Sequence, residues 1–174
     1  MIPRRLAAML PAVPALSLLL AAIAGCGPAG SVHTMESESM LPTIAVGARL
    51  HTRDVDGAYV PRRNDIVLFR PPADWPGTTG DRPRVSRVIG VPGDRVACCD
   101  PDGRLRVNGV PAREAFVTGG PASARPFDVK VAEGRLWIMG DNRGVAMDSR
   151  AYTSASGGGT IAGADVVAVV ESWT

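Results

Sequence analysis

The amino-acid sequence predicts a mainly β protein built from antiparallel strands, preceded by an apolar leader. Three observations carry this. Of 174 residues, 20 are glycine and 15 are proline, residues that make turns and spoil helix interiors. Aromatic residues are only 5% of the chain while valine recurs in short runs, which suits many short strands. Short alternating or continuous apolar segments are separated by turn signals such as Asn108-Gly109 and Pro92-Gly93. The length is enough to bury one core.

Formal net charge is +2, but Arg4 and Arg5 lie in the leader, and without them 17 basic residues face 17 acidic ones. A body so balanced lacks the basic footprint of a nucleic-acid binder. There are 18 arginines and a single lysine, Lys130, which limits where an amine can act.

The leader sets the compartment. Two arginines precede an apolar run over 6–25 that is interrupted by Pro11, Pro14 and Ser17. Twenty helical residues reach roughly 30 Å, so an anchor is feasible, although the prolines make the 15–25 stretch closer to a signal-peptide core. Ile23-Ala24-Gly25-Cys26 resembles the lipobox of bacterial lipoproteins, which implies lipidation of Cys26. A cleaved signal with a free product stays open beside it. In each case Arg4 and Arg5 stay cytoplasmic and the chain from 27 onward lies outside.

The chain after the leader divides into a β domain, 31–97 with 128–174, and a small inserted β subdomain, 98–127. Ser37-Glu38-Ser39-Met40-Leu41-Pro42-Thr43 offers two hydroxyls two residues apart. On a strand, Ser37 and Ser39 share a face and Glu38 takes the other, and Pro42 ends the strand just after Ser39. A strand follows at 48–52, and after the basic turn 61–63 the apolar run in 64–69 reads as a buried strand. The loop 71–80 carries Trp75, either a packing residue or an anchor at a membrane interface. Residues 84–90 alternate as a strand, with Ser86 and Val88 on one face and Val85, Arg87 and Ile89 on the other. A turn at 91–94 leads to the insert, where Asn108-Gly109 marks a hairpin. Strands at 127–131 and 136–139 run into Gly140-Asp141-Asn142-Arg143, with Asp148-Ser149-Arg150 close behind, and 161–172 is the last strand. Cys98 and Cys99 are neighbours, so they form either a strained bridge or two plain thiols. No metal site is expected, because His33 and His51 lack ligand spacing, and no cofactor motif is present.

Four ordered stretches, Ser37 to Thr43, Asn64 to Phe69, Arg87-Val88-Ile89-Gly90-Val91-Pro92-Gly93-Asp94, and Gly140 to Arg143 with Asp148-Ser149-Arg150, resemble bacterial type I signal peptidases. The likeness covers nearly all of 35–172. It implies a serine endopeptidase at the outer face of the cytoplasmic membrane that removes signal peptides from exported preproteins after a small-x-small sequence. It implies that Ser39 is the nucleophile and that Ser37 helps bind the oxyanion beside the Ser39 N–H, donors worth a few kcal/mol each. It also implies that Asp141, Arg143, Asp148 and Arg150 support the site through carboxylate–guanidinium pairs.

Two positions depart from the family pattern. Its base lysine immediately precedes the position of Arg87, and here that residue is Ser86; a serine expected to contact that lysine is Ala146 here. A hydroxyl at Ser86 cannot take the nucleophile's proton near neutrality, and losing such a partner costs on the order of 10⁴ to 10⁶ in rate. Lys130 has no family counterpart as base, while His51 offers an imidazole that can in principle substitute. Two functions therefore follow: a signal peptidase with an unorthodox base, or a catalytically impaired relative that binds signal peptides or a partner peptidase by strand addition.

Overall fold

The computed structural model of the chain describes residues 30–55, 59–77 and 82–174. The leader, with Cys26, lies outside the described residues, as does part of the loop after Gly77. Among the described residues no helix is long and apolar enough to cross a membrane.

The architecture is two antiparallel sheets. The larger takes β1 (Gly30–Thr34), β2 (Arg49–Asp54), β3 (Ile66–Phe69) and β4 (Arg84–Gly90) from the first part of the chain. From the last part come β9 (Arg135–Met139), β10 (Ile161–Ala162) and β11 (Val166–Trp173). Their order is β1-β2-β11-β3-β4-β9-β10, so the C-terminal strand is slotted between two early ones. The smaller sheet, in order β7-β6-β5-β8, is built from β5 (Arg95–Cys98), β6 (Leu105–Val107), β7 (Val110–Pro111) and β8 (Phe127–Lys130). The fold is mainly β, as the turn-rich composition predicts.

The continuous apolar run in β3 is explained by burial on both faces. Val67 and Phe69 pack with Val88, Leu136, Ile138 and Val169, while Ile66 and Leu68 face Met35, Met40, Ile44 and Leu50. A strand covered on two sides has no solvent face on which alternation can appear. A third cluster, around Val96, Leu105, Trp137 and Met139, joins the small sheet to β9. Trp75 is a packing residue: it is buried, stacked on Tyr152 with centroids 4.1 Å apart, and edge-on to Phe69.

Local chemistry accounts for the turns. Asn108 and Gly109 both have positive φ, at 53° and 81°, the pairing a two-residue hairpin between right-twisted strands requires. At the turn into β5, Asp94 takes hydrogen bonds from Arg63, from the Val91 N–H at 3.0 Å and from Asn108 at 2.9 Å. Burial alone pushes the Asp94 carboxyl up, but these donors outweigh it and hold the group below the ordinary carboxylate range. Cys98 and Cys99 are joined as a vicinal disulfide, the first of the two states their adjacency allows.

Candidate active site

The stretch around Ser39 is not a strand, which corrects the alternation argument. Ser37 is extended, at φ −137° and ψ 163°, and the chain then closes into a single 3₁₀ turn, Glu38–Met40. The cause lies in the residues that follow. Met40 and Ile44 are both fully buried in the Leu50 and Leu68 cluster, and the Ile44 N–H donates to Met40 O at 2.9 Å. The Leu41 N–H donates to Glu38 O at 3.1 Å, so two successive backbone bonds close the chain between Glu38 and Ile44, and Ser39 is carried on the shoulder of that turn. The two hydroxyls still meet: Ser37 Oγ and Ser39 Oγ share a 3.0 Å hydrogen bond.

The pair opens into a cleft of about 570 Å³ lined by segments 33–37 and 82–86, by Ser39, and by Val145, Ala146 and Met147. Ser86 is in that lining, only 5% exposed, beside Arg84 and Val85 of the same strand. Lys130 is exposed on β8 and His51 is exposed on β2 opposite Val32, and neither lines the cleft. The imidazole that does is His33, on β1. Nothing in the sequence distinguished it from His51, because β1 carries no strong strand signal.

Behind Ser39, the Gly140–Arg150 segment is fastened to it. The Asn142 N–H donates to Ser39 O at 3.0 Å and its Nδ2 donates to Glu38 O at 3.1 Å. Gly140 permits the approach, since a Cβ there would sit 2.5 Å from both Ser39 O and the Ala146 Cβ. The Gly140 N–H donates to Asp148 at 2.9 Å, and its carbonyl accepts from Arg143 Nε at 2.9 Å. Arg150 forks onto Asp148 at 2.8 and 2.6 Å.

The structure pairs the charges in a way the sequence did not reveal. Asp141 is held by Arg87, through Nε at 2.8 Å and a second nitrogen at 2.6 Å, and also accepts from the Thr43 hydroxyl. Arg143 pairs with Glu114 at 2.6 and 3.2 Å, a residue 29 positions away. Thus Arg87, the neighbour of Ser86, ties β4 to Asp141, which through Thr43 ties back to the Ser39 turn.

The antiparallel β frame thus sets two bonded hydroxyls in the lining of one cleft. Comparison with known proteins narrows this: the family model of signal peptidase, peptidase S26, matches residues 6–173, and the chain belongs to that family. It is 34% identical over 116 residues to the signal peptidase I of Leptolyngbya laminosa, covering 65% of this chain and 56% of that one. It is 33% identical over 119 residues to the probable signal peptidase I-1 of a Synechocystis strain, covering 67% and 59%. The chain therefore spans less than two thirds of the length of these curated relatives. A signal peptidase I structure from Enterococcus faecalis V583 is 26% identical with a TM-score of 0.49, covering 64% of this chain and 97% of that one.

Proposed function

We propose that the chain is a serine endopeptidase that removes signal peptides from exported preproteins, working at the extracytoplasmic face of the membrane from which its leader emerges. The observation that carries this is the Ser37 and Ser39 hydroxyl pair, bonded at 3.0 Å, in a cleft whose lining continues from β1. β1 is the terminal strand of the larger sheet, so its outer edge suits an added polypeptide strand.

In this reading Ser39 Oγ attacks the scissile carbonyl. The Ser37 hydroxyl, with the Ser39 N–H, stabilises the oxyanion that forms in the transition state. Asp141, Arg143, Asp148 and Arg150 do not touch the peptide; through Gly140 and Asn142 they hold the Ser39 carbonyl, and with it the turn that aims the nucleophile. The proton acceptor is the unusual part. Ser86 occupies the place where the family resemblance puts a lysine, and among the described lining residues His33 is the side chain with a nitrogen lone pair.

The test is to incubate the full chain in detergent with a preprotein peptide carrying a small-x-small site. Cleavage by the wild type that disappears in Ser39→Ala supports the reading, and equal product from both proteins ends it. Tight binding of the peptide without any product would instead favour the non-cleaving relative that Ser86 and Ala146 suggest.

A further inference from the structure

The inserted segment reaches the back of the candidate site through one turn. Between β7 and β8 the chain closes a turn in which the Val117 N–H donates to Glu114 O at 3.0 Å. That turn directs two side chains at two guanidiniums. Glu114 binds Arg143 through both carboxylate oxygens, with the two side chains only 10% and 3% exposed. The Phe116 ring lies 4.0 Å from the Arg87 guanidinium carbon and 6.0 Å from that of Arg143.

These contacts matter because of what the arginines do with their remaining donors. Arg143 Nε holds the Gly140 carbonyl, and Gly140 abuts the Ser39 carbonyl; Arg87 holds Asp141, and with it Thr43. Besides Glu114 and Gly140, Arg143 has only a long bond to the neutral Ala122 carbonyl, at 3.4 Å, so without the carboxylate its buried charge is left uncompensated and is drawn toward water. Moving Arg143 releases Gly140. An aromatic face over Arg87 acts similarly, fixing the plane in which its two bonds to Asp141 form.

We propose that Glu114 and Phe116 are positioning residues, through which one turn of the small sheet holds Gly140, Asn142 and β4 in place behind Ser39. Only the kinetic consequence of this rests on the peptidase reading; the structural one stands without it. Neither residue belongs to the four sequence stretches that resemble the family.

The experiment is hydrogen exchange on the full chain in detergent, followed at the Gly140 and Asn142 amides, with β2 and β11 as internal controls. Losing a charged hydrogen-bond partner in Glu114→Gln is expected to speed exchange at those two amides by roughly tenfold or more. Phe116→Leu keeps the apolar bulk but removes the ring face and should act the same way, whereas Phe116→Tyr should restore slow exchange. Unchanged exchange at both amides in Glu114→Gln and Phe116→Leu overturns the proposal. So does an equal acceleration in β2 and β11, which would mean general loosening. With a cleavable peptide, Glu114→Gln should lower kcat and leave KM unchanged; a raised KM at unchanged kcat counts against it. If the wild type cleaves nothing, the peptidase reading fails and the exchange result alone decides this one.

Discussion

The buried ion pair between Arg87 and Asp141 should dominate the stability of the site, and Asp141→Ala tests this. The two side chains are 9% and 0% exposed, and the pair is bidentate at 2.8 and 2.6 Å. Removing one partner of such a pair strands the other charge and costs about 3–5 kcal/mol. The Thr43 hydroxyl loses its acceptor as well, adding about 1 kcal/mol. Arg87 keeps two contacts, the Asn64 carbonyl at 3.1 Å and the Phe116 face, which keeps the loss near the lower end of that range. For a domain of this size, 3–5 kcal/mol corresponds to a fall in Tm of roughly 6–20 °C, read by calorimetry or circular dichroism. The companion is Arg87→Met with Asp141→Leu, which removes both charges and keeps the volume. The double variant should lie well above either single change, because an apolar pair carries no stranded charge. A single Asp141→Ala within about 1 kcal/mol of wild type, or a double variant worse than the sum of its parts, would refute the reasoning.

Three further outcomes follow from particular contacts. Ser86→Lys with Ala146→Ser should raise cleavage of a preprotein peptide by at least about a hundredfold, since a general base contributes that much; a chain no faster than wild type would show that the cleft does not bring residue 86 to Ser39. Gly140→Ala places a Cβ 2.5 Å from the Ser39 carbonyl and from Ala146, so it should cost about 1–3 kcal/mol by thermal unfolding and depress cleavage, and an unchanged Tm would contradict the close packing. Asp94 has a folded pKa below its unfolded one, so its contribution is complete above about pH 4 and fades as pH falls through the lower, folded value. The gap in Tm between wild type and Asp94→Asn should therefore shrink on acidification from pH 6 toward roughly pH 2, and a gap that widens would reverse the sign of the argument.

What the sequence revealed follows from how local its signals are. β4 spans Arg84–Gly90 as alternation proposed: Ser86 lies opposite Val67 and Arg87 opposite Ile66, residues of two different core clusters, and Arg87 reaches Asp141. The hairpin at Asn108-Gly109 needed only the backbone preference of those two residues. The Ser39 turn differs from the strand that alternation proposed because Ser37 and Ser39 share a cleft in either conformation, and a spacing of four, as between Met40 and Ile44, also fits either; the backbone bonds of Leu41 to Glu38 and of Ile44 to Met40 decide it. β1 leaves little mark in the sequence because Gly30–Thr34 is an edge strand whose residues alternate between exposed and half-buried, with little apolar pattern. The pairings of Arg87 with Asp141 and Arg143 with Glu114 join residues 54 and 29 positions apart. Any of several acidic residues could have served as partner, and only the folded topology selects among them.

The proposed function requires the Ser39 oxygen, in the lining of the cleft, to be the nucleophile. The most direct measurement treats the full chain in detergent with a serine-directed fluorophosphonate and locates the adduct by tandem mass spectrometry, with and without a preprotein peptide. The account predicts a single adduct on Ser39 whose formation slows as peptide concentration rises. An adduct on Ser37 or Ser86 instead, or labelling of Ser39 that peptide leaves untouched, would contradict it.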